Sequence, residues 1–174
     1  IDVITANATG SIDPEGSVVT YTYDWLKNGS TTGITGTTLL ASQTTKGETW
    51  TVIATPNDGI HDGTTAQTTI TIQNTPPIIT SVAITPNTNV TTETLLTCSV
   101  SATDSDDGAL TAIIQWTNNT TGQNLGTSST LQLDNGLATP NDIIQCTATA
   151  TDSDGISISD SNTVTIENTP PTID

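Results

Sequence analysis

The segment Ile72-Gln73-Asn74-Thr75-Pro76-Pro77-Ile78 returns 94 residues later as Ile166-Glu167-Asn168-Thr169-Pro170-Pro171-Thr172. The same offset carries Thr69-Ile70-Thr71-Ile72 onto Thr163-Val164-Thr165-Ile166, and Trp50-Thr51-Val52-Ile53-Ala54-Thr55 onto Ile144-Gln145-Cys146-Thr147-Ala148-Thr149. Trp25 and Trp116 lie 91 apart, so loops on either side absorb a three-residue difference. A fixed period of this kind constrains the fold more than any local propensity, because each copy must form one structural unit. Two units are therefore expected, over residues 1–76 and 77–174, each within the size range of a small domain.

Within each copy the pattern is that of short strands. Val19, Tyr21, Tyr23 and Trp25 fall on one face and Thr20, Thr22 and Asp24 on the other, a period of two. Asn28-Gly29 follows as a hairpin-type turn. Further strands are expected at 37–41, 49–55 and 68–72 in the first copy. In the second they fall at 95–102, 112–116, 129–133, 143–150 and 162–166. The 42 threonines suit a pleated surface half exposed to water, and the one helix-forming run of note, 38–42, is too short to stand alone. Hydrophobic residues make up 32% in alternating patterns, which argues against disorder despite a net charge of −16. The class is all-β, a sandwich or barrel. The second copy also carries an edge strand, 78–85 continued at 90–94, that changes partners at Pro86, where proline is tolerated. The first copy has no counterpart, since its chain opens at Ile1-Asp2-Val3-Ile4. The reading is a domain lacking its first strand, either a window of a longer array or a subunit completed by a neighbour's strand. Pro170 to Asp174 reads as the start of a further unit.

The run from Val18 to Gly29, after Asp13-Pro14-Glu15-Gly16, resembles the immunoglobulin-like and cadherin-like repeats of bacterial and archaeal cell-surface proteins, adhesins and extracellular filaments. Asn74-Thr75-Pro76-Pro77 resembles the linkers between such repeats. The second copy departs from the pattern, with Ala112-Ile113-Ile114-Gln115 in place of Tyr-Thr-Tyr. The resemblance implies two tandem immunoglobulin-like β-sandwiches. It also implies that Cys98 and Cys146, the two cysteines, face each other across the second core with Trp116 packed on their bridge; a pair of reduced core thiols is the alternative. At the corresponding positions the first copy places Ile4 and Val52.

Two lysines and no arginine stand against 18 acids. Such a chain cannot neutralise a run of phosphates, which excludes nucleic acid, and no stretch is long and apolar enough to insert in a membrane. Residues 77–174 hold eleven of the acids and no cation. Asp104, Asp106 and Asp107 fall in one loop, Asp152 and Asp154 in another. In the resembled fold both loops share the pole where the linker with Asn74 arrives. Crowded carboxylates recruit a cation or raise one another's pKa. Oxygen ligands on loops favour Ca²⁺, and the resemblance implies calcium at domain junctions. The alternative is that these acids cap Asp-Gly turns. A weaker set in the first copy is Asp13, Glu15, Asp58 and Asp62. His61 between the last two is one histidine without a second nitrogen or sulfur ligand, which suits a solvated loop better than a transition-metal site.

No nucleophile elbow, phosphate loop or metalloprotease pair is present, and most of the aromatics fall in the strand phase that faces inward, so catalysis is not expected. A Lys–Asn crosslink is excluded in the second copy and unfavoured at Lys27 or Lys46. Asn7, Asn28, Asn89, Asn118 and Asn119 occupy Asn-x-Ser/Thr sequons, candidate glycosylation sites. The expected role is a structural repeat of an extended extracellular protein or filament, with proline linkers and calcium stiffening its junctions. Its partners would be neighbouring copies or domains, reached by β-strand addition in the subunit reading. A ligand-binding adhesin module and an accessory domain of a secreted enzyme are the alternatives.

Overall fold

The structure is a computed structural model and describes residues 3–168 and Pro170. The expected start of a further unit, from 171 onward, lies outside the described residues, as do Ile1 and Asp2. The chain divides between Asn74 and Thr75 into two compact units.

The first unit contains β1 (Ile4–Thr5), β2 (Thr20–Lys27), β3 (Ser30–Thr35), β4 (Thr38–Leu39), β5 (Thr49–Asn57) and β6 (Ala66–Thr71). One sheet has the order β3-β2-β5-β6 and is antiparallel throughout; among the described residues the second sheet consists of β1 and β4, paired through Ile4 and Leu39. Lys27 pairs with Ser30, so Asn28 and Gly29 form a two-residue loop, and both have positive φ (49° and 81°). That is the turn whose twist matches the strands it joins, and Asn-Gly favours it. The return strand β3 was not among the strands expected from the sequence. A short 3₁₀ turn at Ala41–Gln43 replaces the end of the strand expected there.

The second unit contains β7 (Ile78–Thr85), β8 (Leu95–Asp104), β9 (Gly108–Leu110), β10 (Ile113–Asn118), β11 (Gln123–Gly126), β12 (Thr130–Gln132), β13 (Ile143–Thr151) and β14 (Ser157–Thr165). Its sheets are β12-β8-β7, with β9 folded back on β8, and β11-β10-β13-β14. Along β13 alternate residues Ile144, Cys146, Ala148 and Ala150 are buried, the strand period at work. Each core holds a covered leucine at the same place, Leu39 and Leu131, each contributing on the order of 2 kcal/mol by leaving water. The Trp25 indole N–H donates to the Gly36 carbonyl at 3.0 Å and Trp116 to Ser128 at 2.9 Å, so both buried indoles are satisfied.

The expected continuation of the edge strand at 90–94 is not a strand. Thr94 N–H donates to the Thr91 carbonyl at 3.1 Å and Thr91 N–H to the Thr94 hydroxyl at 2.8 Å, closing a turn. Threonine hydroxyls compete with the ladder for their own backbone. The Val90 carbonyl accepts from Glu167 N–H at 2.6 Å, and Asn89 N–H donates to the Glu167 side chain at 2.7 Å.

Cys98 and Cys146 form a disulfide joining β8 to β13. The first unit's counterpart of Cys98 is Ala6, not Ile4. Cys98 N–H donates to the Ser129 carbonyl and Ala6 N–H to the Thr37 carbonyl, the same bond at the same step of the register. Val52 does correspond to Cys146: each pairs with its unit's strand tryptophan, Trp25 or Trp116.

Candidate functional site

In the second unit the acids of two loops come together at one pole. β8 ends at the buried Asp104, whose Oδ1 accepts the N–H of Asp106 at 2.6 Å and of Asp107 at 3.0 Å. Asp106 Oδ2 accepts Thr75 N–H at 2.7 Å, tying the unit's first residue to the loop. Asp107 bridges to the other loop, accepting Ser153 N–H at 2.8 Å and its hydroxyl at 3.0 Å. Asp152, also buried, accepts the N–H of Asp154 at 3.0 Å and of Ile156 at 2.7 Å. The bonds of Asp104 and Asp152 close turns while those of Asp106 and Asp107 tie separate segments together, all strengthened by the charge of the acceptor. Among the described residues no three Asp, Glu, His or Cys side chains are grouped to hold a metal ion. Asp104 Oδ2 is buried and, among the described residues, has no hydrogen-bond partner, a state that costs about 1–3 kcal/mol for a neutral group and more for a charged one. Asn74, expected to join this set, belongs to the first unit.

The corresponding acids of the first unit also close turns. Asp13 Oδ2 accepts Ser17 N–H at 2.7 Å, and that bond is the main reason its carboxyl sits below the ordinary carboxylate range. Asp58 Oδ1 accepts the N–H of Ile60 and of His61, both at 2.7 Å, and the His61 and Ile60 amides lower its pKa. Asp62 accepts from the Asn57 amide at 2.7 Å. Asp13, Asp58, His61 and Asp62 line one shallow cleft of about 370 Å³, which Glu15 does not line. His61 is exposed.

A second polar feature, repeated in both units, escaped the sequence reading. Asp142 is buried; its Oδ2 accepts from the Asn118 amide at 2.9 Å, from Thr139 N–H at 2.9 Å and from the Thr139 hydroxyl at 3.2 Å. The Thr139 amide, then Asn118, hold its carboxyl below the ordinary range against burial. Ninety-four residues earlier Glu48 does the same work. It accepts Thr45 N–H at 3.0 Å and the Trp50 indole N–H at 2.9 Å, and pairs with Lys27 Nζ at 2.5 Å. Burial is the largest influence on Glu48 and opposes ionisation, but Lys27, Trp50 and Thr45 together outweigh it and lower its pKa. The backbone repeats as well. Ile72 N–H donates to Glu48 and Ile166 N–H to Asp142, while Gly47 and Asn141 N–H donate to Ile72 and Ile166. Each unit thus has a carboxylate latch that fastens the loop before β5 or β13 to the strand hairpin. The signal was Thr45-x-x-Glu48 against Thr139-x-x-Asp142 at the repeat offset, obscured because Glu replaces Asp and Lys27 replaces Asn118.

The latch also corrects one glycosylation candidate. The Asn118 side chain is buried, donating to Asp142 and the Leu137 carbonyl and accepting from Thr120 and Thr121 N–H, so no glycan can be attached in the folded chain. Asn7, Asn28, Asn89 and Asn119 are exposed.

Fold and site together define two immunoglobulin-like β-sandwiches in tandem, the second crosslinked across its core. No protein-family model matches the chain and no curated protein matches it in sequence. Among solved structures, the three N-terminal domains of the bacteriophage RB49 Highly Immunogenic Outer Capsid protein (Hoc) are similar at a TM-score of 0.37 and 16% identity. The match covers 94% of this chain and 53% of that one, so the chain spans about half its length.

Proposed function

We propose that the chain is a non-catalytic structural module of an extracellular or surface protein, a pair of sandwiches used as a spacer. The observation that carries this is what the repeat preserves. Trp25 and Trp116, Leu39 and Leu131, Thr45 and Thr139, and the Glu48 and Asp142 latches are all scaffold, and each works inside its unit. The Cys98–Cys146 bridge supports an oxidising compartment. The test is the thiol state in the source organism, with antibody labelling of intact cells or particles. A bridged, surface-labelled chain is expected. A chain whose cysteines alkylate without reduction, found only inside intact cells, overturns the reading.

A calcium ion at the second unit's pole is part of the proposal, supported by one atom, the buried Asp104 Oδ2. A hard cation would satisfy that oxygen, with Asp106, Asp107, Asp152 and Asp154 as further oxygen donors after small loop adjustments. It would fasten the two loops and Thr75 to one point. Thermal melting with millimolar Ca²⁺ against chelator is expected to raise the second unit's midpoint, and Asp104→Asn to abolish the rise. The cation is rejected if Ca²⁺ leaves the parent chain's midpoint unmoved.

A further inference from the structure

The segments by which the chain enters and leaves the second unit are fastened to each other. β7 lies along β8, with Ile84 opposite Cys98, and Ile84 is buried. On its other side the Asn162 amide of β14 donates to the Val82 carbonyl at 2.9 Å. Further along, Glu167 N–H donates to the Val90 carbonyl at 2.6 Å, and the Glu167 carboxylate accepts Asn89 N–H at 2.7 Å. From the first contact to the last, residue numbers rise on both segments, from Val82 to Val90 and from Asn162 to Glu167. The two therefore run parallel. Tension that draws Thr75 one way and Asn168 the other slides one segment along its neighbour. The three bonds are then loaded together instead of opening in turn, and forced unfolding is governed by the barrier they raise.

The bridge comes next in the same path. Once the parallel segments part, residues 75–97 and 147–168 can be drawn out, 45 in all. Tension then passes from Cys98 to Cys146 through the sulfurs, across 6.4 Å between Cα atoms. The loop that the bridge encloses bears no load. It holds Trp116, Leu131, Leu133 and Ile144, all buried in the second core, so the core tryptophan lies where tension does not reach. An extended residue spans at most about 3.6 Å, so the 45 free residues release roughly 160 Å of chain, and the bridge, over a separation of 48, withholds roughly 170 Å.

We infer that the second unit is a two-stage device for bearing tension. A non-covalent clamp, made by Asn162 and Glu167 on the entering segment, holds it closed, and a covalent stop at Cys98–Cys146 limits how far it opens. The use of such a device rests on the spacer reading; its mechanics belong to the chain itself. Loss of the clamp would leave that reading standing, because thiol state and surface location test it separately.

The test pulls the whole oxidised chain by handles at its two ends in optical tweezers. Expected for the second unit is one rupture freeing roughly 160 Å of chain before the folded span is subtracted, distinct from roughly 260 Å for residues 3–74. Cys98→Ala with Cys146→Val should lengthen the second unit's release about twofold. Asn162→Ala with Glu167→Ala should leave the released length unchanged and shorten the unit's lifetime at constant force about tenfold. Glu167→Ala alone serves where the pair does not fold, and Glu167→Gln, which keeps the accepting oxygen, should stay near the parent. A parental lifetime in the alanine variants overturns the clamp, as does a Glu167→Gln lifetime as short as theirs. An oxidised parent that releases the whole unit in one rupture overturns the stop.

Discussion

Replacing the bridge by the pair that nature uses in the first unit, Cys98→Ala with Cys146→Val, tests how much the crosslink contributes. Ala6 and Val52 occupy those places in the first unit, so the substitutions keep a packing already compatible with the scaffold. The cysteines are 48 residues apart. In the chain-entropy model a loop of that length restricts the unfolded chain by about 4 kcal/mol at 25 °C. With an unfolding entropy of about 2.1 cal/mol/K per residue over a domain of roughly 100 residues, that lowers the second unit's midpoint by about 20 °C. Calorimetry combined with hydrogen exchange followed by mass spectrometry assigns the transition, with peptides from residues 4–72 as the internal reference. A fall of less than about 5 °C, or roughly 1 kcal/mol, refutes the reasoning. The second core would then hold by apolar contact alone, as the first does, and the bridge would owe its presence to something other than loop closure.

Acid should loosen the latches. Asp142 has a folded pKa below its ordinary 3.8, so folding favours the ionised form. The stability it adds is present above that value and lost as pH falls through the folded one. Urea midpoints of the second unit from pH 6 to 2 should fall steeply below pH 4, and Asp142→Asn should flatten the fall; an unchanged slope in the variant counts against the latch. In a host that makes N-glycans, glycopeptide mass spectrometry is expected to find Asn118 unmodified whatever the occupancy of Asn119, and a glycan on Asn118 in folded protein would contradict its burial.

Much of the scaffold was legible because strands with one buried face leave a period of two. Val19 to Trp25 is the clearest instance, and the tryptophans and the repeated Thr-x-Thr-Ile strand fixed which segments correspond. What failed was transfer of a single offset to every strand. Loops of unequal length make the shift 94 at β5 and β13, 91 at the tryptophans and 92 at Ala6 and Cys98, so Ile4 was matched two residues away from its true counterpart. β3 was missed because Thr31, Gly33 and Thr35 lie exposed beside half-buried Thr32 and Ile34, too weak an alternation to read. At the acidic pole the sequence indicated which carboxylates gather. It could not show that Asp104 and Asp152 close turns while Asp106 and Asp107 reach other segments, since that depends on backbone direction, nor that Asp104 and Asp152 are buried while Asp154 is not. The latches were hidden for a related reason, their partners having changed chemistry between units while keeping position.

The ion pair of the first latch bears on how the chain meets proteases. An enzyme that requires lysine or arginine before the cut finds two bonds in 174 residues. One follows Lys27, at the end of β2, where the backbone is laddered to Trp50 and the ammonium is held by Glu48. The other follows Lys46, in the turn leading to that same glutamate. Cleavage needs an extended segment drawn into the enzyme, and here both scissile bonds are fastened by one carboxylate. The second unit offers such enzymes no bond at all, folded or unfolded. Tryptic digestion should therefore read out the opening of a single latch, with Glu48→Gln hastening the cut at both lysines together.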